Sequence, residues 1–183
     1  DNLLSVYLDA SFFPNLDYLD FAQEGHRVEF KDPEDISSEI EIKGVVYNEM
    51  KGAMSSVTSQ LWHGMSKDLY PTSTYKFNSG GNPEDILNLT HEELVDFHKS
   101  HYHPSNAIFL TAGDVEPQEI QEYITSNVLS KFKPLNRKIF VSNEARLSHP
   151  IEATELYNPQ PGDEENHHVV MSWLLGESHN AEE

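Results

Sequence analysis

Gly44 to Ser56 reads GVVYNEMKGAMSS, and its periodicity organises the middle of the chain. Stepping about 100° per residue from Val46 places Met50, Ala53, Met54, Val57, Leu61 and Met65 within an arc of roughly 120°. That is the apolar stripe of a core-facing helix. Ser38 and Glu41 have the spacing of a capping box, so one helix is expected to start between Ser38 and Gly44 and to run to about Lys67, ahead of Pro71. Glu49 falls about 40° outside the stripe, beside Ala53 and Gln60. Two readings follow for its carboxylate. It is a surface glutamate, as most are, or it faces a site at the inner edge of the domain.

Upstream, the apolar run Asn2 to Phe13 reads as a buried helix stopped before Pro14, with a short helical turn at Leu16 to Phe21 and a strand at His26 to Phe30. Downstream, Tyr75 to Asn82 is a loop, and Asn82-Pro83 suits an N-cap with proline at the first helical position. Thr90 and Glu93 form a second capping-box pair that opens a helix through His101, which Pro104 closes. Ile108 to Ala112 is apolar and β-rich, a candidate central strand. Ile120, Tyr123, Ile124 and Val128 sit at helical spacing in a helix from about Glu116 to Lys131. Pro134 to Ser148 is rich in bases and carries a single acid, Glu144. It reads as a linker with one possible strand, Lys138 to Val141. Glu152 to Tyr157 and His168 to Leu175 read as strands joined by the turn-rich Asn158 to Asn166.

Composition excludes several classes of function. The 183 residues carry 31 acids against 12 bases, a net charge of −19. A surface of that sign repels phosphates, so nucleic-acid binding is excluded, and an anionic membrane surface is disfavoured. No apolar run reaches the length of a membrane span. The charge has two readings: a solvated acidic surface, or a field that draws in cationic peptides. Zero cysteines exclude disulfides, thiol catalysis and cysteine–zinc sites. Cytoplasm, periplasm and organelle matrix all fit.

Two blocks carry a resemblance. GVVYNEMKGAMSS and the segment Ser79 to Ala107, SGGNPEDILNLTHEELVDFHKSHYHPSNA, occur in the order seen in the pitrilysin/insulinase family of zinc metallopeptidases, in the branch that holds presequence proteases. NLLSVYLDA and EGHRVEF near the start resemble it too, and coverage is nearly continuous from Asn2 to about Phe132. The resemblance implies an α/β (α+β) fold, a pitrilysin-like half-domain with helices packed on a mainly antiparallel sheet, incomplete at its N-terminus. It implies that residues 1–133 are the C-terminal part of a catalytic-type domain, 134–150 a linker and 151–183 the start of the next homologous domain. It also implies that Glu49 is the third protein ligand of a catalytic Zn2+.

The family's other two ligands and its general base sit on an H-x-x-E-H motif, and this sequence contains neither that motif nor H-E-x-x-H: Val95 stands where the latter needs histidine after His91-Glu92. The resemblance therefore implies a chain that starts after the catalytic helix. A hydrolytic zinc needs three protein ligands, an open position for water and a base. Alone, the chain is expected to be inactive and to hold no zinc at Glu49. The parent would be a metalloendopeptidase degrading oligopeptides; the alternative is a non-catalytic structural or substrate-binding half of such a protein. Expected partners are oligopeptides, the rest of the parent polypeptide and, through exposed apolar surface, a second copy.

Other residue clusters have competing readings. His98, His101 and His103, with His91 seven residues before His98, are of a type that binds zinc, copper or nickel. The other reading is a helix end carrying histidines, favourable beside the C-terminal dipole, with Pro104 turning His103 away. His167-His168 is a weaker pair. Ser79-Gly80-Gly81 lacks the preceding strand and following Lys-Ser/Thr of a phosphate loop and reads as a turn. Trp62, Tyr70 and Tyr75 are core or rim aromatics, or a peptide-binding surface near Glu49.

Overall fold

A computed structural model describes residues 2–136, 139–157 and 167–177. In chain order the elements are α1 (Asn2–Phe12), α2 (Tyr18–Glu24), β1 (Arg27–Phe30), β2 (Ile40–Lys43), α3 (Val45–Ala53), α4 (Val57–Leu69), α5 (Pro83–Ile86), α6 (His91–His101) and α7 (Pro117–Asn127). Short 3-10 turns follow at Thr74–Lys76, Pro104–Asn106 and Leu129–Lys131. The chain forms two units, each built from two separated stretches: 1–21 with 89–140, and 22–88 with 141–183.

The first unit is built on apolar periodicity. Leu4, Leu8 and Phe12 recur at the four-residue spacing of one face of α1, and Ile120, Tyr123 and Ile124 line one face of α7. Leu8, Ile124 and the fully buried Val128 form its core, with Phe13 and Phe132 packed around them. Phe12 stacks on Phe109 at 5.7 Å, and Phe13 meets Phe132 at 5.4 Å. The capping box that opens α6 is present as read: Glu93 N–H donates to Thr90 Oγ1 at 3.2 Å, and Thr90 N–H donates to Glu93 Oε2 at 2.8 Å.

In the second unit β1 and β2 pair antiparallel, with Arg27 opposite Lys43 and Phe30 opposite Ile40. Alternation puts Arg27, Glu29, Glu41 and Lys43 on one face. Lys43 Nζ lies 2.7 Å from both Glu29 and Glu41, and Arg27 Nε 2.6 Å from Glu29. These contacts hold the Glu29 carboxyl below its ordinary range, chiefly through Lys43 and then Arg27, and raise the Lys43 ammonium through Glu29 and then Glu41.

The mixed helical and antiparallel character of the reading is present, but several elements differ. Ser38 caps no helix. Its hydroxyl accepts from Asp32 N–H at 3.1 Å and closes the loop between β1 and β2, while Glu41 lies within β2. The single helix expected through Lys67 is two, α3 and α4. The Ser55-Ser56 pair breaks it, because serine hydroxyls compete for the backbone groups that would continue the ladder. Ser55 Oγ donates to Gly52 O at 2.6 Å, and Ser56 turns extended to cap α4.

The strands expected at Ile108 to Ala112, Glu152 to Tyr157 and His168 to Leu175 do not form, nor does one over 139–141; Lys138 lies outside the described residues. The physical reason is pairing. A strand exists through ladder bonds to a neighbour, and among the described residues only β1 and β2 pair. Ile108 and Leu110 are 97% and 88% exposed in consequence. The connector 158–166 also lies outside the described residues.

Candidate functional site

Glu49 stands exposed on α3, in the second unit. Its carboxylate makes no hydrogen bond or ion pair among the described residues. The helix beneath it is held on several sides. At its start, Gly44 is buried and caps α3 with an extended backbone, and its carbonyl accepts from Asn48 N–H at 3.0 Å. Along its inner face α3 packs against α5. There the turn Asn78 to Asn82 approaches closely: a Cβ on Gly80 would lie 2.3 Å from Met50 Sδ, and Asn78 Nδ2 donates to Met54 Sδ at 3.4 Å. Gly81 has φ +93 and faces Ile86, which is buried. At its end, Gln60 Nε2 donates to the Met54 carbonyl at 2.8 Å.

The two stretches most similar to the zinc-peptidase family therefore meet here. Met50 of GVVYNEMKGAMSS rests on Gly80 of the SGG turn that opens the second block, and Met54 accepts from Asn78 just ahead of it. A turn was the reading of Ser79-Gly80-Gly81. Its purpose, seating α3, was not legible, because the sequence does not say which helix the glycines face.

The histidines are separated by their engagements. His98 Nε2 donates to the Ser11 carbonyl at 2.9 Å, while His101 Nδ1 donates to the Phe97 carbonyl at 3.1 Å. His103 is turned away past the end of α6, where Nδ1 accepts from Ser105 N–H at 3.0 Å. His91 Nε2 donates to the Leu16 carbonyl at 2.6 Å, with Tyr18 and Phe21 against its ring. Leu16 has φ 49, a left-handed conformation costly for leucine, and His91 holds it there. His168 meets Tyr157 edge-on at 5.8 Å. Among the described residues, no group of three or more His, Asp or Glu side chains is placed to hold a metal ion.

Tyr70 and Tyr75 pack at 5.5 Å. Trp62 is 67% exposed and joins no ring contact among the described residues. A further polar site went unread in the sequence: the Glu144 carboxylate accepts from Thr72 Oγ1 at 2.7 Å and from the Thr72 and Ser73 N–H groups at 2.8 Å each. The Thr72 hydroxyl, with these backbone donors, holds the carboxyl below its ordinary range. Nothing local relates positions so far apart in sequence.

Comparison with known proteins places the chain. Residues 88–183 match the family described as the peptidase M16 inactive domain. Presequence protease, mitochondrial, of Xenopus tropicalis is 43% identical over 182 residues, 96% of this chain and 17% of the relative. Presequence protease 1, chloroplastic/mitochondrial, of Arabidopsis thaliana is 40% identical over 182 residues, 96% of this chain and 16% of the relative. Protein HypA of Clostridium perfringens is 34% identical over 186 residues, 99% of this chain and 19% of that protein.

The chain belongs to the peptidase M16 family, the pitrilysin/insulinase zinc metallopeptidases, and within it to the presequence-protease branch. Its residues 88–183 are of the family's non-catalytic domain type. The chain spans less than a fifth of the length of these relatives. No described helix is long and apolar enough to cross a membrane.

Proposed function

We propose that this chain is part of a zinc metalloendopeptidase that degrades oligopeptides, and that Glu49 supplies the third protein ligand of its Zn2+. One observation carries the reading. Glu49 is an exposed carboxylate without a partner among the described residues, on a helix seated from its start to its end. Its oxygens are free to meet an incoming ion, as those of a zinc ligand must be, and the helix beneath them is held in place. Glu49 also lies outside residues 88–183, so the non-catalytic type of that region does not bear on it.

The residues fit one third of a coordination shell and no more. Zn2+, when bound, polarises a scissile carbonyl and activates water. This chain contributes one carboxylate and its placement; two histidines and the base come from an H-x-x-E-H elsewhere in the parent. On this reading residues 1–133 end the catalytic-type domain, 134–150 link it onward and 151–183 open the next, and the matched region 88–183 runs across the first of these boundaries. The net charge of −19 supports cationic oligopeptides as substrates. Exposed Ile108, Leu110, Leu156 and Val169 support contact with the rest of the parent, and self-association of the isolated chain.

The testing experiment measures bound zinc and peptide cleavage in the parent polypeptide with and without Glu49→Gln. Glu49→Gln is expected to lose both. Full zinc occupancy in the variant, or a parent without H-x-x-E-H, overturns the reading. The second reading, a non-catalytic half, has one observation in its favour, the inactive type of residues 88–183. It predicts a parent that binds peptide but neither zinc nor cleaves.

A further inference from the structure

We propose that Gly44 is a positioning residue for Glu49: contact with the backbone at Gly25 sets where α3 begins, and any side chain at position 44 displaces the Glu49 carboxylate. The proposal rests on the zinc-ligand reading. Its physical content is space, not strain, since φ 173 and ψ 142 are extended values open to any residue.

A Cβ on Gly44 would lie 2.0 Å from the Gly25 carbonyl oxygen, 2.7 Å from its carbon and 3.0 Å from His26 Cα. All three are backbone atoms, so no rotamer change relieves the clash. The neighbouring glycines differ. A Cβ on Gly80 meets only the thioether of Met50, which can swing aside, and one on Gly52 meets nothing within 4 Å. Gly44 is therefore the glycine of α3's surroundings that backbone locks.

The consequence is carried by the first turn. Asn48 N–H bonds the Gly44 carbonyl at 3.0 Å, and Glu49 is the next residue. Ordinary contact requires the start of α3 to retreat from Gly25 by about 1 Å. Metal–ligand distances tolerate about 0.2 Å. Glutamate's rotatable bonds recover part of that displacement, so the expected effect is the loss of about 10-fold to 100-fold in metal affinity typical of an outer-shell change, not abolition.

The test has two arms. In the parent, zinc affinity is measured by chelator competition, and the visible spectrum of the Co2+-substituted protein is recorded well below its melting temperature. Gly44→Ala should weaken zinc by about 10-fold to 100-fold and shift the Co2+ bands, whereas Gly52→Ala and Gly80→Ala should do neither. A zinc affinity for Gly44→Ala within about twofold of wild type, beside a large loss for Glu49→Gln, overturns the positioning role and leaves the ligand reading intact.

In the 183-residue chain, amide hydrogen exchange is followed through α3. Faster exchange at Asn48 to Ala53 in Gly44→Ala, with none in Gly52→Ala, supports the placement even if Glu49→Gln leaves zinc unchanged; unaltered exchange overturns it. If Gly44→Ala does not fold, the wild-type chain decides. An NOE between Gly44 Hα and His26 Hα is expected, and its absence sinks the proposal.

Discussion

In the unit of residues 1–21 and 89–140, Leu8, Ile124 and Val128 are withdrawn from water among phenylalanines. In the unit of residues 22–88 and 141–183, Ile86 is the one buried apolar side chain among the described residues. What holds that second unit is directional: a backbone approach at Gly44, a glycine turn seated on Met50, an ion cluster across β1 and β2, and the Glu144 carboxylate on Thr72 and Ser73. Apolar burial is non-directional and tolerates volume-conserving change. Close approaches and hydrogen bonds fail over fractions of an ångström. Glu49 therefore sits in the region where position, rather than buried volume, is specified. The ligand role proposed for Glu49 would need that kind of support.

The comparison can be broken most readily at the core. Ile124→Ala should destabilise the first unit by about 2–4 kcal/mol, the usual cost of emptying a buried aliphatic site. Exchange-monitored urea unfolding should show the loss in α1 and α7 while β1 and β2 are unchanged. Equal loss in both units would show that they unfold as one. Next in size, Gly44→Ala should cost about 1–3 kcal/mol through its backbone clash, while Gly52→Ala, in open space on the same helix, should stabilise by about 0.5–1 kcal/mol. Melting curves of the two variants should move in opposite directions.

His91→Ala removes the donor that holds Leu16 in its left-handed conformation, at a cost of about 1 kcal/mol. Nuclear magnetic resonance shifts confined to Leu16 to Phe21 would sharpen the view that this bond governs the connection between α1 and α2. Smaller effects attend the carboxylates of the second unit. Glu144 and Glu29 both titrate below the ordinary range when folded. Their contribution is complete above the unfolded carboxyl pKa and is lost as pH falls through the folded values. Lys43 has the opposite sign: its contribution is present below the unfolded lysine pKa and is lost as pH rises through the raised folded one. Stability should show an acid-side loss that Glu144→Gln reduces. A pH profile identical in that variant would remove the Glu144 contact from the account.

Much of the helical structure was legible. α1, α6 and α7 carry apolar spacing and, for α6, a complete capping box, all written within a dozen residues. The break between α3 and α4 was hidden by an apolar stripe that continues in phase across Ser55-Ser56. The serine hydroxyls decided it through local bonds that periodicity does not register. The capping-box spacing of Ser38 and Glu41 misled for the converse reason: the same side chains serve a hairpin loop and a strand. The histidine cluster was open between metal binding and helix-end roles, and carbonyls of residues far along the chain, Ser11 and Leu16, engage two of its members.

The amino-acid sequence alone determined the family resemblance, the charge, the lack of an H-x-x-E-H motif and the candidacy of Glu49, because these depend on residue identity and order. Tertiary structure decided what Glu49 stands on. Gly25 meets Gly44, Gly80 meets Met50, and Glu144 reaches Thr72 across long stretches of chain. Such contacts follow from the path of the whole backbone, and no local pattern of residues encodes them.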